Sequence, residues 1–209
     1  MFLFCKQLEQ FRFRLYSLFF FCLRRGFRHA GCGVRVGRHV YWESPRRISI
    51  GDHCLIKRDT SLCGGAAGGL ILGDSCEIAE NCLIRAFNGR IRFGRRSSLN
   101  FCGDIVGGAG GVEIGNDVRI GLHCVLIASE HNWSDPERPI VEQGTRSAGI
   151  VIEDDVWIGA HVTILDGVRI GTGCVVGAGA VVSRSLPPFS VAVGVPARVL
   201  KSRRRESDE

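Results

Sequence analysis

The stretch EDDVWIGAHVTILDGVRIGTGCVVGAGAVV, residues 153–182, places branched aliphatics at Ile158, Ile164, Ile170, Val176 and Val182, one every six residues. A helix repeats near 3.6 residues and a strand at 2, so neither accounts for this spacing alone. A period of six fits one short strand followed by one turn. Three such units close a triangular coil of about eighteen residues, and stacked coils make a parallel β-helix.

The same register runs through most of the chain. Coils begin at Ile50, Leu72, Phe93, Ile114, Ile152 and Ile170, each followed by lead residues six and twelve positions on. The lead set is Ile50, Ile56, Leu62, Leu72, Ile78, Ile84, Phe93, Leu99, Ile105, Ile114, Ile120, Leu126, Ile152, Ile158, Ile164, Ile170, Val176 and Val182. Every member except Phe93 is Ile, Leu or Val, which predicts an inward column on each face. Burying one such side chain contributes roughly 1.5–3 kcal/mol.

The fifth position of each hexapeptide is mostly small, with Asn88, Glu130 and Leu186 as exceptions. Cys54, Cys76, Cys82, Cys124 and Cys174 occupy it, and read as small buried apolar residues. The chain has 10 cysteines with no CxxC pair, which favours a reducing compartment over a disulfide scaffold. Glycine follows the lead residue at Gly51, Gly73, Gly94, Gly115, Gly159 and Gly171, where positive φ at a tight corner is expected.

Upstream, VRVGRHVYWESPRRISIG reads as a worn first coil with Val36 and Trp42 inward. Short extra turns, AAGGLI, FNGRIR and GAGGVE, all fall after a third hexapeptide and so on one corner. Between Leu126 and Ile152 the segment ASEHNWSDPERPIVEQGTRSAG exceeds a coil and must loop out, and long excursions from a compact repeat are often functional.

The resulting division is an N-terminal helical or membrane-proximal segment over 1–30, an all-β helix over 31–200 with its loop at 128–149, and a charged tail over 201–209. The N-terminus, MFLFCKQLEQFRFRLYSLFFFCLRRGFRH, holds an apolar run from Leu18 to Leu23, too short to span a bilayer. No small-residue cleavage site follows it, which argues against a signal peptide. It reads as a helix that caps the domain, or as an interfacial helix with Phe and Leu in lipid and Arg at the head groups. The net charge of +6 points to an anionic partner or to a basic surface. No nucleic-acid-binding motif is present, so nucleic acid ranks last.

HNWSDPERPI, DDVWIGAHVTILDGVRIG, VVGAGAVV and AVGVPARVL together resemble the hexapeptide acyltransferases. Within that family they resemble the O-acetyltransferases of galactosides, maltose and cell-surface polysaccharides. The resemblance covers roughly residues 36–200. It implies a left-handed parallel β-helix, a homotrimer with sites between neighbouring subunits, acetyl-CoA as co-substrate, a sugar or polysaccharide-precursor acceptor, and no required metal.

It also implies roles for particular residues. His131 matches the catalytic general base, a role that imidazole fills more often than any other side chain. Its orienting partner is left open among Glu130, Asp135, Glu137, Glu142 and a backbone carbonyl. Ala160 matches the backbone N–H that receives the oxyanion. Trp157 precedes a lead residue, points outward, and matches the residue beside the pantetheine arm. Ala178 matches a close backbone contact to the cofactor, and Arg184, Arg198 and Lys201 match cations near its phosphates. Asn100 matches the acceptor-binding amide. No Ser or Cys suits a nucleophile, so direct transfer in a ternary complex is expected. The reaction is expected at the inner face of the cytoplasmic membrane.

Rival readings are a catalytically silent scaffold or sugar binder, a γ-type carbonic anhydrase with three His ligands for zinc, and a serine acetyltransferase.

Overall fold

The computed structural model describes residues 24–204. The N-terminal segment over residues 1–23, including the Leu18 to Leu23 run, and the tail beyond residue 204 lie outside the described residues. The described residues begin with a 3-10 turn, Arg24–Gly26, and the first coil is already under way at His29–Ala30.

Almost everything that follows is short parallel strands on three faces. The first face stacks His29–Ala30, Ile48–Ile50, Gly69–Leu72, Arg90–Phe93, Val112–Ile114, Ile150–Ile152 and Arg169–Ile170. The second stacks Arg35–Val36, Leu55–Ile56, Glu77–Ile78, Ser98–Leu99, Arg119–Ile120, Trp157–Ile158, Val175–Val176 and Ser190–Val193. The third stacks Tyr41–Glu43, Ser61–Cys63, Leu83–Arg85, Asp104–Val106, Val125–Ile127, Thr163–Ile164 and Val181–Val182. This is the left-handed parallel β-helix that the resemblance implies. A final strand, Arg198–Ser202, turns back antiparallel onto Ser190–Val193 and closes the second face.

The lead residues form three columns in strict register. On the first face Ile50, Leu72, Phe93, Ile114, Ile152 and Ile170 pair in succession. On the second, Ile56, Ile78, Leu99, Ile120, Ile158 and Val176 do so. On the third, Leu62, Ile84, Ile105, Leu126, Ile164 and Val182 do so. All of them are at most 2 % exposed, so these columns are the core. Val36 and Trp42 head two columns as expected, and Phe27 packs edge-on against Trp42 with ring centroids 4.8 Å apart at the open end.

Three expectations change. The extra turns do more than loop out: Leu70, Ile91 and Val112 form a second buried column on the first face with Ile48 and Ile150. Ala66, Asn88 and Ala109 therefore sit exposed in the third corner rather than at an inward small position.

The glycines after the lead residues do not supply positive φ. The left-handed residues come two positions later, and most are not glycine: His53, Ser75, Asn81, Asp117, His123 and His161 among them. Glycine is required after the lead because the next coil is too close. A Cβ on Gly159 would sit 2.6 Å from the backbone nitrogen of Ala178, and one on Gly73 would sit 2.9 Å from the carbonyl carbon of Gly94.

The small-position cysteines are more than apolar filler. Cys54, Cys76, Cys82 and Cys124 donate Sγ–H to the carbonyls of Gly73, Gly94, Asn100 and Gly159 at 3.0–3.2 Å. Thr60 and Ser97 do the same through hydroxyls, to Ala79 and Gly115. Each donor satisfies a corner carbonyl that the parallel ladder leaves unpaired. Burial pushes the Cys82 thiol up to about 12, so it stays protonated and able to donate. All eight described cysteines are free.

Candidate active site

Most of the predicted residues collect on the second face and the corner that follows it. Trp157 stands on the outer side of that face, 59 % exposed, between Arg119 and Val175 in register. Outward projection follows from its place before the lead residue Ile158. Ala160 lies at the following corner, and its carbonyl accepts from the Gly179 N–H at 2.8 Å. Its own N–H donates to no acceptor among the described residues. Ala178 occupies the same corner one coil higher, flanked by Gly177 and Gly179, so little side chain stands above Ala160. Arg198 and Lys201 are exposed on the closing strand of the same face.

Asn100 is at this corner two coils below Ala160. Its Oδ1 accepts from the Phe101 N–H at 2.8 Å, which is a turn contact, while its Nδ2 makes no hydrogen bond among the described residues.

His131 and Arg184 are elsewhere. The chain leaves the third face after Val125–Ile127 and enters the long loop through Glu130–His131, so His131 sits at the third corner. Arg184 follows the highest strand of the third face at that same corner. A face of about six residues, roughly 15–20 Å, separates the third corner from the Ala160 corner.

The loop is a built hairpin. Glu130–His131 pairs antiparallel with Thr145–Arg146, setting Glu130 opposite Arg146 and His131 opposite Thr145. The Arg146 guanidinium grips one Glu130 oxygen through Nη2 at 2.6 Å and Nε at 3.1 Å. Gln143 ties the tip together: its Nε2 donates to the carbonyls of Asp135 and Arg138, both at 2.8 Å, and its Oε1 accepts from the Asp135 N–H. Asn132 donates from Nδ2 to the Gln143 carbonyl at 2.9 Å. At the exit, Asp166 accepts the N–H groups of Ala148 and Gly149 at 2.8 and 2.7 Å, and Ser147 donates to the Ala128 carbonyl. A cleft of about 360 Å³ lies at this foot, lined by Glu130, Arg146, Ser147, Ala148, Asp166 and Gly167.

His131 projects from this frame exposed, and its ring bonds to none of the described residues. Of the four acids considered as its orienting partner, Glu130 is committed to Arg146 and Asp135 to the Glu137 N–H. Sequence reasoning missed Arg146, Asp166 and Gln143, because the hairpin that gives them meaning is not periodic. Arg119 was legible: it precedes a lead residue on the face of Trp157.

No group of three or more His, Cys, Asp or Glu among the described residues is placed to hold a metal ion. His123 and His161 stack with centroids 4.9 Å apart, but as a pair.

The model of the bacterial transferase hexapeptide, six repeats, matches residues 149–184. With three faces of six-residue rungs already in place, that match makes the chain similar to the hexapeptide-repeat transferases. Among relatives of this hexapeptide-repeat chain, a probable acetyltransferase of Mycobacterium tuberculosis is 37 % identical over 134 residues, 64 % of this chain and 44 % of that protein. The galactoside O-acetyltransferase of Lactococcus lactis is 35 % identical over 138 residues, 63 % of this chain and 65 % of that one. The chain spans about half the length of the curated relatives it matches. Among solved structures, an N-acyltransferase from Bacillus cereus in complex with dTDP-4-amino-4,6-dideoxyglucose and coenzyme A superposes with a TM-score of 0.61 at 26 % identity, covering 87 % of each chain.

Proposed function

We propose that this hexapeptide-repeat protein is an acetyl-CoA-dependent O-acetyltransferase that acts on a sugar hydroxyl, with each site assembled between two copies of the chain. The observation that carries the reading is the placement of an exposed indole, an undonated backbone N–H and two exposed cations along one face, with the imidazole of the long loop, unpartnered among the described residues, a full face away. The galactoside O-acetyltransferase relatives and the coenzyme A complex of the Bacillus neighbour support it.

In this reading acetyl-CoA lies along the second face. Trp157 flanks the pantetheine arm. The Ala160 N–H meets the thioester oxygen, and Ala178 lets the chain pass close to the backbone. Arg198 and Lys201 take the phosphates at the C-terminal end. A neighbouring copy, in a homotrimer, brings its third corner to this face and so supplies His131, with its Arg184 higher up the same crevice.

His131 accepts the acceptor hydroxyl proton as the oxygen attacks the thioester carbon. The new C–O bond forms while the carbonyl electrons move onto oxygen, where the Ala160 N–H stabilises them. A donor of this kind is worth roughly 2.7–4 kcal/mol. Collapse breaks the C–S bond, and the sulfur leaves with the proton returned by the imidazolium. The acetyl group ends on the sugar and the thiol on coenzyme A.

The acceptor is read as a surface-polysaccharide precursor at the inner membrane face, with the basic, Phe-rich residues 1–28 as the membrane contact. No helix among the described residues is long and apolar enough to cross a membrane. Thiol release from acetyl-CoA with a panel of neutral, acidic and amino sugars tests the reading. Release with hydroxyl acceptors supports it. Release with amino sugars alone replaces O-transfer by N-transfer, and release with none removes it.

A further inference from the structure

A second cleft opens on the third corner, below the loop that carries His131. It measures about 340 Å³ and is lined by Glu43, Ser44, Gly65, Ala66, Arg85, Phe87 and Asn88. Three successive rungs build it. Glu43, Cys63 and Arg85 pair in register as the last residues of their strands on the third face. The chain then turns through Ser44, Gly65 and Phe87, all three left-handed with φ of 53, 66 and 49°. Holding a bulky aromatic in that region costs energy, and Phe87 is nevertheless 45 % exposed. The repeat alone does not call for an aromatic here, since the rung below uses glycine.

The chemistry of the lining is specific. The Arg85 Nε is buried and has no hydrogen-bond partner among the described residues, while the guanidinium also reaches the Cys63 thiol. Its guanidinium carbon lies 5.5 Å from the centre of the Phe87 ring. An unsatisfied buried donor is costly, and a carboxylate or phosphate oxygen is the acceptor a guanidinium fork suits best. Phe87 offers an apolar face to a ring, and the exposed Glu43 and Asn88 offer an acceptor and an amide to hydroxyls. Cys63, beneath the cleft, is no nucleophile: burial raises its thiol pKa. The next rung up carries the stretch Gly107 to Gly111, whose one Cβ belongs to the exposed Ala109. A nearly bare track thus runs from the cleft toward the rung that launches His131, two rungs and about 10 Å above Arg85.

We propose that this corner cleft is a subsite for an anionic sugar unit, a hydroxylated ring bearing a carboxylate or a phosphate ester, placed one or more units away from the hydroxyl that is acetylated. This rests on the carbohydrate reading above and narrows it: the acceptor is an acidic saccharide that lies along the third corner. Arg85 binds the anion, Phe87 packs on the ring, and Glu43 and Asn88 read hydroxyls.

Calorimetric titration of the full chain at low ionic strength tests this, using glucuronate, glucose 1-phosphate, glucose and inorganic phosphate as probes. The variants are Arg85→Gln, Arg85→Lys, Phe87→Ala and His131→Ala. At least one anionic sugar is expected to bind at least tenfold more tightly than glucose. Arg85→Gln and Phe87→Ala are each expected to weaken it at least tenfold, and His131→Ala to leave it unchanged. The tighter of the two anionic sugars identifies carboxylate or phosphate ester as the natural group.

Equal binding by wild type and Arg85→Gln overturns the proposal, as does glucose binding as well as the charged sugars, or no binding by any probe. Inorganic phosphate binding as tightly as glucose 1-phosphate overturns the sugar part. Phe87 stands on the rim, so its alanine variant decides the matter if Arg85 proves necessary for folding. Arg85-dependent binding without acetyl transfer to any sugar leaves the subsite and removes the catalytic reading. Acetyl transfer with Arg85-independent binding does the reverse.

Discussion

His131 and Ala160 stand at different corners of the same prism, with the whole third face between them. The imidazole leaves the helix after Val125–Ile127, while the undonated N–H of Ala160 lies just before the third face begins. Neither can reach the other without unwinding the buried columns between them. A reaction that uses both therefore uses two copies of the chain.

Removing the proposed base separates chemistry from binding. His131→Ala is expected to lower kcat at least about a hundredfold, the lower end of what a general base supplies. The acetyl-CoA dissociation constant is expected to hold, because in the proposed site His131 faces the acceptor hydroxyl while Trp157, Arg198 and Lys201 hold the cofactor. Stopped-flow turnover beside direct binding of acetyl-CoA checks both.

The role proposed for the Glu130–Arg146 pair is to position His131 rather than to touch substrate. Both partners are substantially solvent-accessible, so the pair itself stabilises the fold by only about 0–1 kcal/mol. Arg146→Ala is expected to leave the melting temperature nearly unchanged while kcat falls about tenfold with little change in KM. Arg146→Lys, which keeps one contact, is expected to recover part of the rate.

The corner thiols make a stability prediction. Cys124→Ala leaves the Gly159 carbonyl without its donor and is expected to cost about 1–3 kcal/mol. Cys124→Ser keeps a donor at the position where Ser97 already serves and is expected to lose less. Urea unfolding of the two variants ranks them, and an equal loss would return these residues to simple filling.

Glu153 ties two coils together. Its carboxylate accepts the Thr172 N–H and hydroxyl, both at 2.9 Å, and pairs with Arg169 at 2.9 Å. The Thr172 N–H first, then the hydroxyl and Arg169, hold its pKa below the usual carboxylate range. A depressed folded pKa contributes stability that is present above the unfolded value and lost as pH falls through the folded one. The melting-temperature gap between wild type and Glu153→Gln is therefore expected to be full at pH 7 and to close below about pH 4.

The core was legible because one rule, an aliphatic every six residues, holds from Ile50 to Val182 and each member is buried where the rule puts it. Local chemistry was less legible. Cys124 reads as apolar until the Gly159 carbonyl is seen above it. Gly159 reads as a φ residue until Ala178 is seen pressed against it. Both depend on contacts with a neighbouring coil, which hexapeptide register predicts but composition does not. Trp157 was readable as outward-facing from its neighbour Ile158. The Arg146 grip on Glu130 was not, because the 128–149 loop follows no period and its pairing exists only once the hairpin has closed. The cleft around Arg85 was missed for the same reason: its walls come from turns that interrupt the repeat.

Complementation between two crippled chains tests the shared site most directly. His131→Ala and Trp157→Ala are co-expressed with different tags and purified as mixed assemblies, and acetyl transfer is measured at limiting acetyl-CoA. In a cyclic trimer that contains both chains, about a third of the sites pair an intact imidazole from one copy with an intact indole from the next. Recovery of about a third of wild-type activity, from parents that are each nearly inactive, is the result expected. Mixed assemblies no more active than their parents would contradict it, and would place the whole reaction within one chain.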